Sequence, residues 1–194
     1  PHFLEFLREL SIECHKNNLV VSVDNPVPED FTSHYDRKEQ GLVVDYVIIM
    51  GYDEHYVGSD AGSVASLPWV EQGVQDTIAE VTPERTILAI PFYTRLWKTT
   101  GGAVTSEAIG MDEAQNVLST NGVEVVWDGS VGQNYATFEQ DNSTYQIWLE
   151  DAQSIAEKVK LIQKYNLAGV AQWKLGFENS SIWQTISDNL QAAS

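Results

Sequence analysis

The chain has 194 residues, of which 43% are apolar, and its 28 acidic against 11 basic residues give a formal charge of −17. This is a globular composition rather than a disordered one, with ample length for one core and nothing that forces a second domain. The charge argues against a nucleic-acid partner, because phosphate is held by Lys and Arg, and against electrostatic docking on anionic membranes. It suits a ligand that is neutral or cationic.

Cys14 is the single cysteine, so no disulfide forms within the chain and no cysteine metal site is expected. No apolar run reaches transmembrane length, and no membrane insertion is expected.

Phe3, Leu4, Leu7, Leu10 and Cys14 recur at helical spacing, which predicts an amphipathic helix over about the first 17 residues, ended by Asn17-Asn18. Leu19 to Val23 reads as a short buried strand stopped by Asp24-Asn25-Pro26. Residues 32–41 read as helical or irregular. Val43 to Met50 is β-branched and nearly continuous, so it is expected to be a strand buried on both faces. It ends in Gly51-Tyr52-Asp53. In a parallel α/β barrel, that end of a strand is where chemistry is built. A Gly- and Ser-containing loop over 54–68 leads into a helix over 69–81, broken by Pro83. Thr86 to Pro91 is the next strand, and its end carries Phe92-Tyr93-Thr94-Arg95-Leu96-Trp97.

From Lys98 to Tyr145 the rhythm changes. Alternating stretches at 124–127, 135–139 and 144–149, with one helix over 111–120, read as an antiparallel α+β insertion, and Gly101-Gly102 reads as a turn. A helix over 151–165, a strand over 167–173 and a closing helix over 181–192 complete the chain. Four strands, each followed by helix, make parallel crossover units and an α/β fold. The expected organisation is a partial barrel over 1–97, an insertion over 98–145 and a closure over 146–194. Glu54-His55 has too few neighbours to bind zinc, and Glu139, Asp141 and Glu150 read as surface or capping groups.

Four blocks carry a family resemblance. They are Met50-Gly51-Tyr52-Asp53, Ala89 through Trp97, Ile147 through Ser154 with Lys158, and Gly169 through Gly176. In this order and spacing the chain resembles the C-terminal half, strands five to eight, of a glycoside hydrolase family 18 TIM (β/α)8 barrel. It is nearer to bacterial cell-wall and spore-cortex lytic members than to chitinases. The resemblance implies cleavage of β-1,4 bonds after N-acetylglucosamine, in peptidoglycan or chitin-type glycans, by substrate-assisted retaining catalysis. It implies no cofactor and no metal, and a setting outside the bacterial cytoplasm, at the cell wall.

The resemblance also implies roles for named residues. Tyr52 would donate to the acetamide oxygen of the sugar, or else be a core tyrosine. Asp53 would contact the acetamide or the general acid, or else cap a turn. Trp173 would be the floor under the sugar, or else core. Tyr93 and Arg95 would hydrogen-bond the sugar, with Arg95 alternatively paired to a surface carboxylate. Trp97 would be a sugar platform or an anchor for the insertion, and Met50 would pack on the acetamide methyl or fill the core.

The family's D-x-x-D-x-E motif is absent from the 194 residues. The catalytic Glu is therefore expected upstream of Pro1, and the chain alone is expected to be inactive. A non-catalytic, lectin-like glycan-binding module is the rival reading. Exposed sheet edges further predict self-association, as a homodimer completing a barrel-like shape, or poor solubility.

Overall fold

The computed structural model describes residues 2–191. Its first elements are α1 (His2–Lys16), β1 (Ser22–Pro26), a 3-10 turn (Asp30–Tyr35), α2 (Arg37–Val43) and β2 (Tyr46–Met50). Next come α3 (Leu67–Ile78), β3 (Thr86–Pro91), β4 (Tyr93–Thr100), β5 (Ala103–Gly110) and α4 (Met111–Asn121). The chain continues through β6 (Val126–Asp128), β7 (Gln133–Gln140), β8 (Ser143–Trp148), α5 (Ala152–Lys164), β9 (Gly169–Trp173) and α6 (Ile182–Gln191). Pro1 and Ala192, which the expected first and last helices include, lie outside the described residues.

β1, β2, β3 and β9 form a parallel sheet in the order β1-β2-β3-β9. One face is sealed. Val47 and Ile49 pack with Leu7 of α1 and with Val23, while Leu88 and Ile90 pack with Val74, Val159 and Ile186 of α3, α5 and α6. The expectation that 43–50 is buried on both faces holds for one face only. Val43 ends α2, and Tyr46, Ile48 and Met50 are merely half-buried. The described residues lay no second layer over that face.

β1 sits about one turn later than expected. Leu19 and Val20 precede it and are exposed, and the strand runs through Asp24-Asn25-Pro26 instead of stopping there. Two features allow this. β1 is an edge strand, so the missing Pro26 N–H costs no ladder bond. Asn25 is fully buried, and its amide donates to Gln40 Oε1 at 2.7 Å.

The antiparallel sheet, in the order β5-β4-β8-β7-β6, extends beyond 98–145 at both ends, from Tyr93 to Trp148. Phe92 to Trp97 therefore leads into a long strand rather than ending a short one. Gly101 and Gly102, both at positive φ, make the two-residue β4–β5 hairpin turn. Ala114 and Leu118 of α4 pack on Ile109, Ala136 and Ile147 of this sheet.

A buried polar chain ties the two sheets together. Lys158 Nζ lies 2.9 Å from Glu150 Oε1, with both side chains sealed from water. Glu150 also accepts from Ser154 Oγ (2.9 Å) and from Gln133 Nε2 (2.8 Å), and the Gln133 side-chain oxygen accepts from Ser63. Glu150 is thus no surface group. Its sequence neighbours Leu149 and Asp151 gave no hint that the partner cation lies two turns along α5.

Candidate functional site

Parallel strands bring their carboxyl ends to one side. Register pairs Pro26 with Met50, Met50 with Ala89 and Pro91 with Trp173. The loops leaving these ends hold Tyr52, Asp53 and Tyr93.

Gly51 is the hinge of this arrangement. Its N–H donates to Ala89 O at 2.9 Å, and a Cβ there would meet Leu88 Cδ1 at 2.9 Å and Ala89 O at 3.0 Å. Only glycine lets the chain stay this close to β3 as it leaves β2. Asp53 follows at φ +67°, a left-handed conformation that Asp tolerates better than most residues. Its carboxylate accepts from Tyr93 Oη at 2.5 Å. The Tyr52 ring meets the Tyr93 ring edge-on, with centroids 6.2 Å apart.

Burial pushes the Tyr52 phenol up to about 12, and the charges of Asp24 and Asp53 add to this. The Tyr93 phenol is raised as well, chiefly by burial and then by its bond to Asp53. Both therefore stay protonated, and Tyr52 keeps a hydroxyl that can donate.

Trp173 is 53% exposed at the end of β9, so its indole is open to a ligand and is not core. Its carbonyl accepts from Phe92 N at 2.7 Å. Arg95 donates from Nη1 to Ser106 Oγ at 3.1 Å, not to a carboxylate, and its buried Nε has no hydrogen-bond partner among the described residues. Met50 is half-buried and lines a cavity with Tyr52 and Asp53.

Trp97 departs from the expectation of a sugar platform. It is 1% exposed, and its Nε1–H donates to Gly62 O at 2.9 Å. It anchors the antiparallel sheet to the loop after β2. In that loop Glu54 accepts from Ser66 N (2.7 Å) and Ser66 Oγ (2.9 Å), and so fixes the entry to α3.

Sequence reading missed Asp24, Glu29, Phe31, Tyr56 and Trp69. Asp24 reads as a strand stop in the sequence, and in the fold its charge helps to raise the Tyr52 phenol. The other four line the cavity beside Met50. They are dispersed along the sequence, and only Tyr56, four residues after Tyr52, carried a local signal.

Residues 1–178 match the family described as glycosyl hydrolases family 18. The chain belongs to that family. Among its relatives is an uncharacterized glycosylase, YvbX, of Bacillus subtilis, 25% identical over 191 residues, covering 95% of this chain and 55% of that protein. A cortical fragment-lytic enzyme of the same organism is also 25% identical, over 95% of this chain and 45% of its own length. The chain thus spans about half the length of these curated relatives. In structure it superposes on a chitinase from Chromobacterium violaceum with a TM-score of 0.89 at 25% identity, over 97% of this chain and 61% of that one. The spore cortex-lytic enzyme SleL of Bacillus cereus shares the fold, with a TM-score of 0.87 at 23% identity, over 96% of this chain and 45% of that one. The family 18 fold is therefore present in its α/β outline, and the chain is glycoside-hydrolase-like.

Proposed function

We propose that this chain is the sugar-holding half, strands five to eight of a (β/α)8 barrel, of a family 18 glycosidase. The parent cleaves β-1,4 bonds after N-acetylglucosamine in peptidoglycan or chitin-type glycans outside the bacterial cytoplasm. The observation that carries the reading is the Tyr93–Asp53 hydrogen bond of 2.5 Å beside the Tyr52 ring, at the carboxyl ends of parallel strands.

In this reading the sugar's own acetamide carbonyl attacks the anomeric carbon, and positive charge develops on the ring. Tyr52 donates to the acetamide oxygen and holds it in line. Asp53, fixed by Tyr93, faces the positive charge of the oxazolinium that forms. Trp173 offers its exposed indole to the apolar C–H face of the pyranose. Met50 packs against the acetamide methyl. No metal or cofactor takes part.

The proton donor is not among these residues, because D-x-x-D-x-E does not occur in the chain. The chain by itself accordingly binds glycan and does not turn it over. The second reading, a lectin-like module that holds glycan without cleaving it, uses the same sugar-holding residues. The two readings part at the residue that ends the fourth strand of the parent.

The test is a titration of the chain with an N-acetylglucosamine tetramer, followed by tryptophan fluorescence. Saturable quenching that Trp173→Ala abolishes and Tyr52→Phe weakens supports the reading. Hydrolysis of the tetramer by the chain alone, lost in Tyr52→Phe, overturns the assignment of the proton donor. No response from the native chain overturns the site.

A further inference from the structure

The cavity that Met50, Tyr52 and Asp53 line extends past further side chains that the acetamide chemistry does not use. It has a volume of about 240 Å³ and opens between the ends of β1 and β2. Phe31, Tyr56 and Trp69 give it three aromatic walls, and Glu29 and Asp53 contribute two carboxylates. Neither Lys nor Arg lines it.

Its far wall is held in place from behind. The Arg37 guanidinium, 1% exposed, donates from Nη2 to Pro26 O (3.0 Å), Val27 O (3.4 Å) and Thr32 Oγ1 (2.8 Å), and from Nη1 to Thr32 O (3.3 Å). The stretch that carries Glu29 and Phe31 is thus pinned at both ends by one buried cation. Glu29 is steered in turn by Trp69, whose Nε1–H lies 3.3 Å from its Oε1. The backbone that carries Glu29 is fixed in this way, while Phe31 and Tyr56 stand exposed at the mouth of the pocket.

Aromatic faces combined with carboxylates select for a cation. Ring quadrupoles attract an ammonium held over them, and the attraction grows as water is excluded. A carboxylate on the same wall adds a charge-assisted hydrogen bond. A neutral acetamide gains from the rings and nothing from the charges, and an anion is repelled.

We infer that this pocket takes the free ammonium of a 2-amino-2-deoxy sugar, the neighbour of the N-acetylglucosamine held at Tyr52 in a partly de-N-acetylated glycan. The inference rests on the proposed function for the placement of that first sugar. Basic groups sit on the other flank, where Lys174 Nζ lies 4.5 Å from the Phe177 ring centroid and Arg95 bonds Ser106. The amine belongs at the β1–β2 end, where Glu29 and the aromatic side chains line one cavity with no Lys or Arg.

The test is calorimetry of the full 194-residue chain with two tetramers of equal length, one of β-1,4-glucosamine and one fully N-acetylated. The glucosamine tetramer is expected to bind about tenfold more tightly at low salt, with the gap narrowing as salt is added. Glu29→Gln keeps an oxygen for Trp69 Nε1 and removes the charge. It is expected to erase the preference between the two tetramers. Equal affinity for both tetramers, or a preference unmoved by Glu29→Gln, overturns the inference. If the N-acetylated tetramer binds through Trp173 with no preference for amine, the functional reading stands and this inference falls. If only the amine binds, through Glu29, the reverse holds. Binding of neither removes both.

Discussion

Tyr93 on β4 and Asp53 in the loop after β2 are 40 residues apart in sequence and joined by a 2.5 Å hydrogen bond. Each comes from a different architectural layer. Asp53 leaves the parallel sheet, and Tyr93 opens the antiparallel one. The antiparallel sheet therefore supplies a hydrogen-bond partner to an exposed carboxylate at the end of the parallel one.

Tyr93→Phe removes that donor and keeps the ring. We expect binding of an N-acetylglucosamine tetramer to weaken about tenfold and the fold to lose about 1.5–3 kcal/mol, the range for a hydrogen bond to a charged group. Fluorescence titration and urea denaturation measure the two effects separately. An unchanged dissociation constant would remove Asp53 from the sugar site.

The two phenols also make an alkaline prediction. Tyr52 ionises near 10 in the unfolded chain and near 12 when folded. Its contribution to stability is complete below pH 10 and is lost as pH rises to about 12, because only the unfolded state gains from ionising across that interval. Ultraviolet titration of tyrosinate should show late-titrating phenols in the native chain, reduced in number in Tyr52→Phe.

Gly51→Ala would push a methyl group onto Leu88 Cδ1 and the Ala89 carbonyl. The carbonyl belongs to a strand and yields little. A cost of about 1–3 kcal/mol is expected, as for overpacking a core, together with weaker sugar binding, since Tyr52 is the next residue. Thermal unfolding of the variant with and without tetramer tests both.

Lys158→Met strands the Glu150 carboxylate in a dry site. We expect a loss of about 3–5 kcal/mol, while the double change Lys158→Met with Glu150→Gln recovers much of it, because a buried charge without its partner is the costly state. Denaturant midpoints of the single and double variants decide this.

The half-covered face of the parallel sheet and the exposed Phe3, Phe6 and Leu10 of α1 predict association. Light scattering at micromolar concentration is expected to report dimers or larger species, and Phe6→Glu to shift them toward monomer. A clean native monomer would count against it.

Much of the parallel layer was legible because its signals are local. Thr86–Pro91 fell where its apolar run and Pro83 place it, and α5 follows Ile155, Val159 and Ile162. β1 was misplaced because Asp24-Asn25-Pro26 are good stop signals that an edge strand can ignore. Glu150 was misread, and Trp97 left open between platform and anchor, for another reason. The groups that bury them, Gly62 and Lys158, are brought near by tertiary packing, and neither side chain shows that in its own segment. β4 and β5 alternate weakly, since several of their side chains remain half-exposed.

The loop after β2 is fastened at two places, by Glu54 to Ser66 and by Gly62 to Trp97. Between these clasps residues 55–60 bulge outward, and Gly58 has open space where a side chain would go. Substitutions at Gly58 are therefore expected to change the outer surface of the loop while leaving both clasps, and the Tyr52–Asp53 pair beneath them, in place.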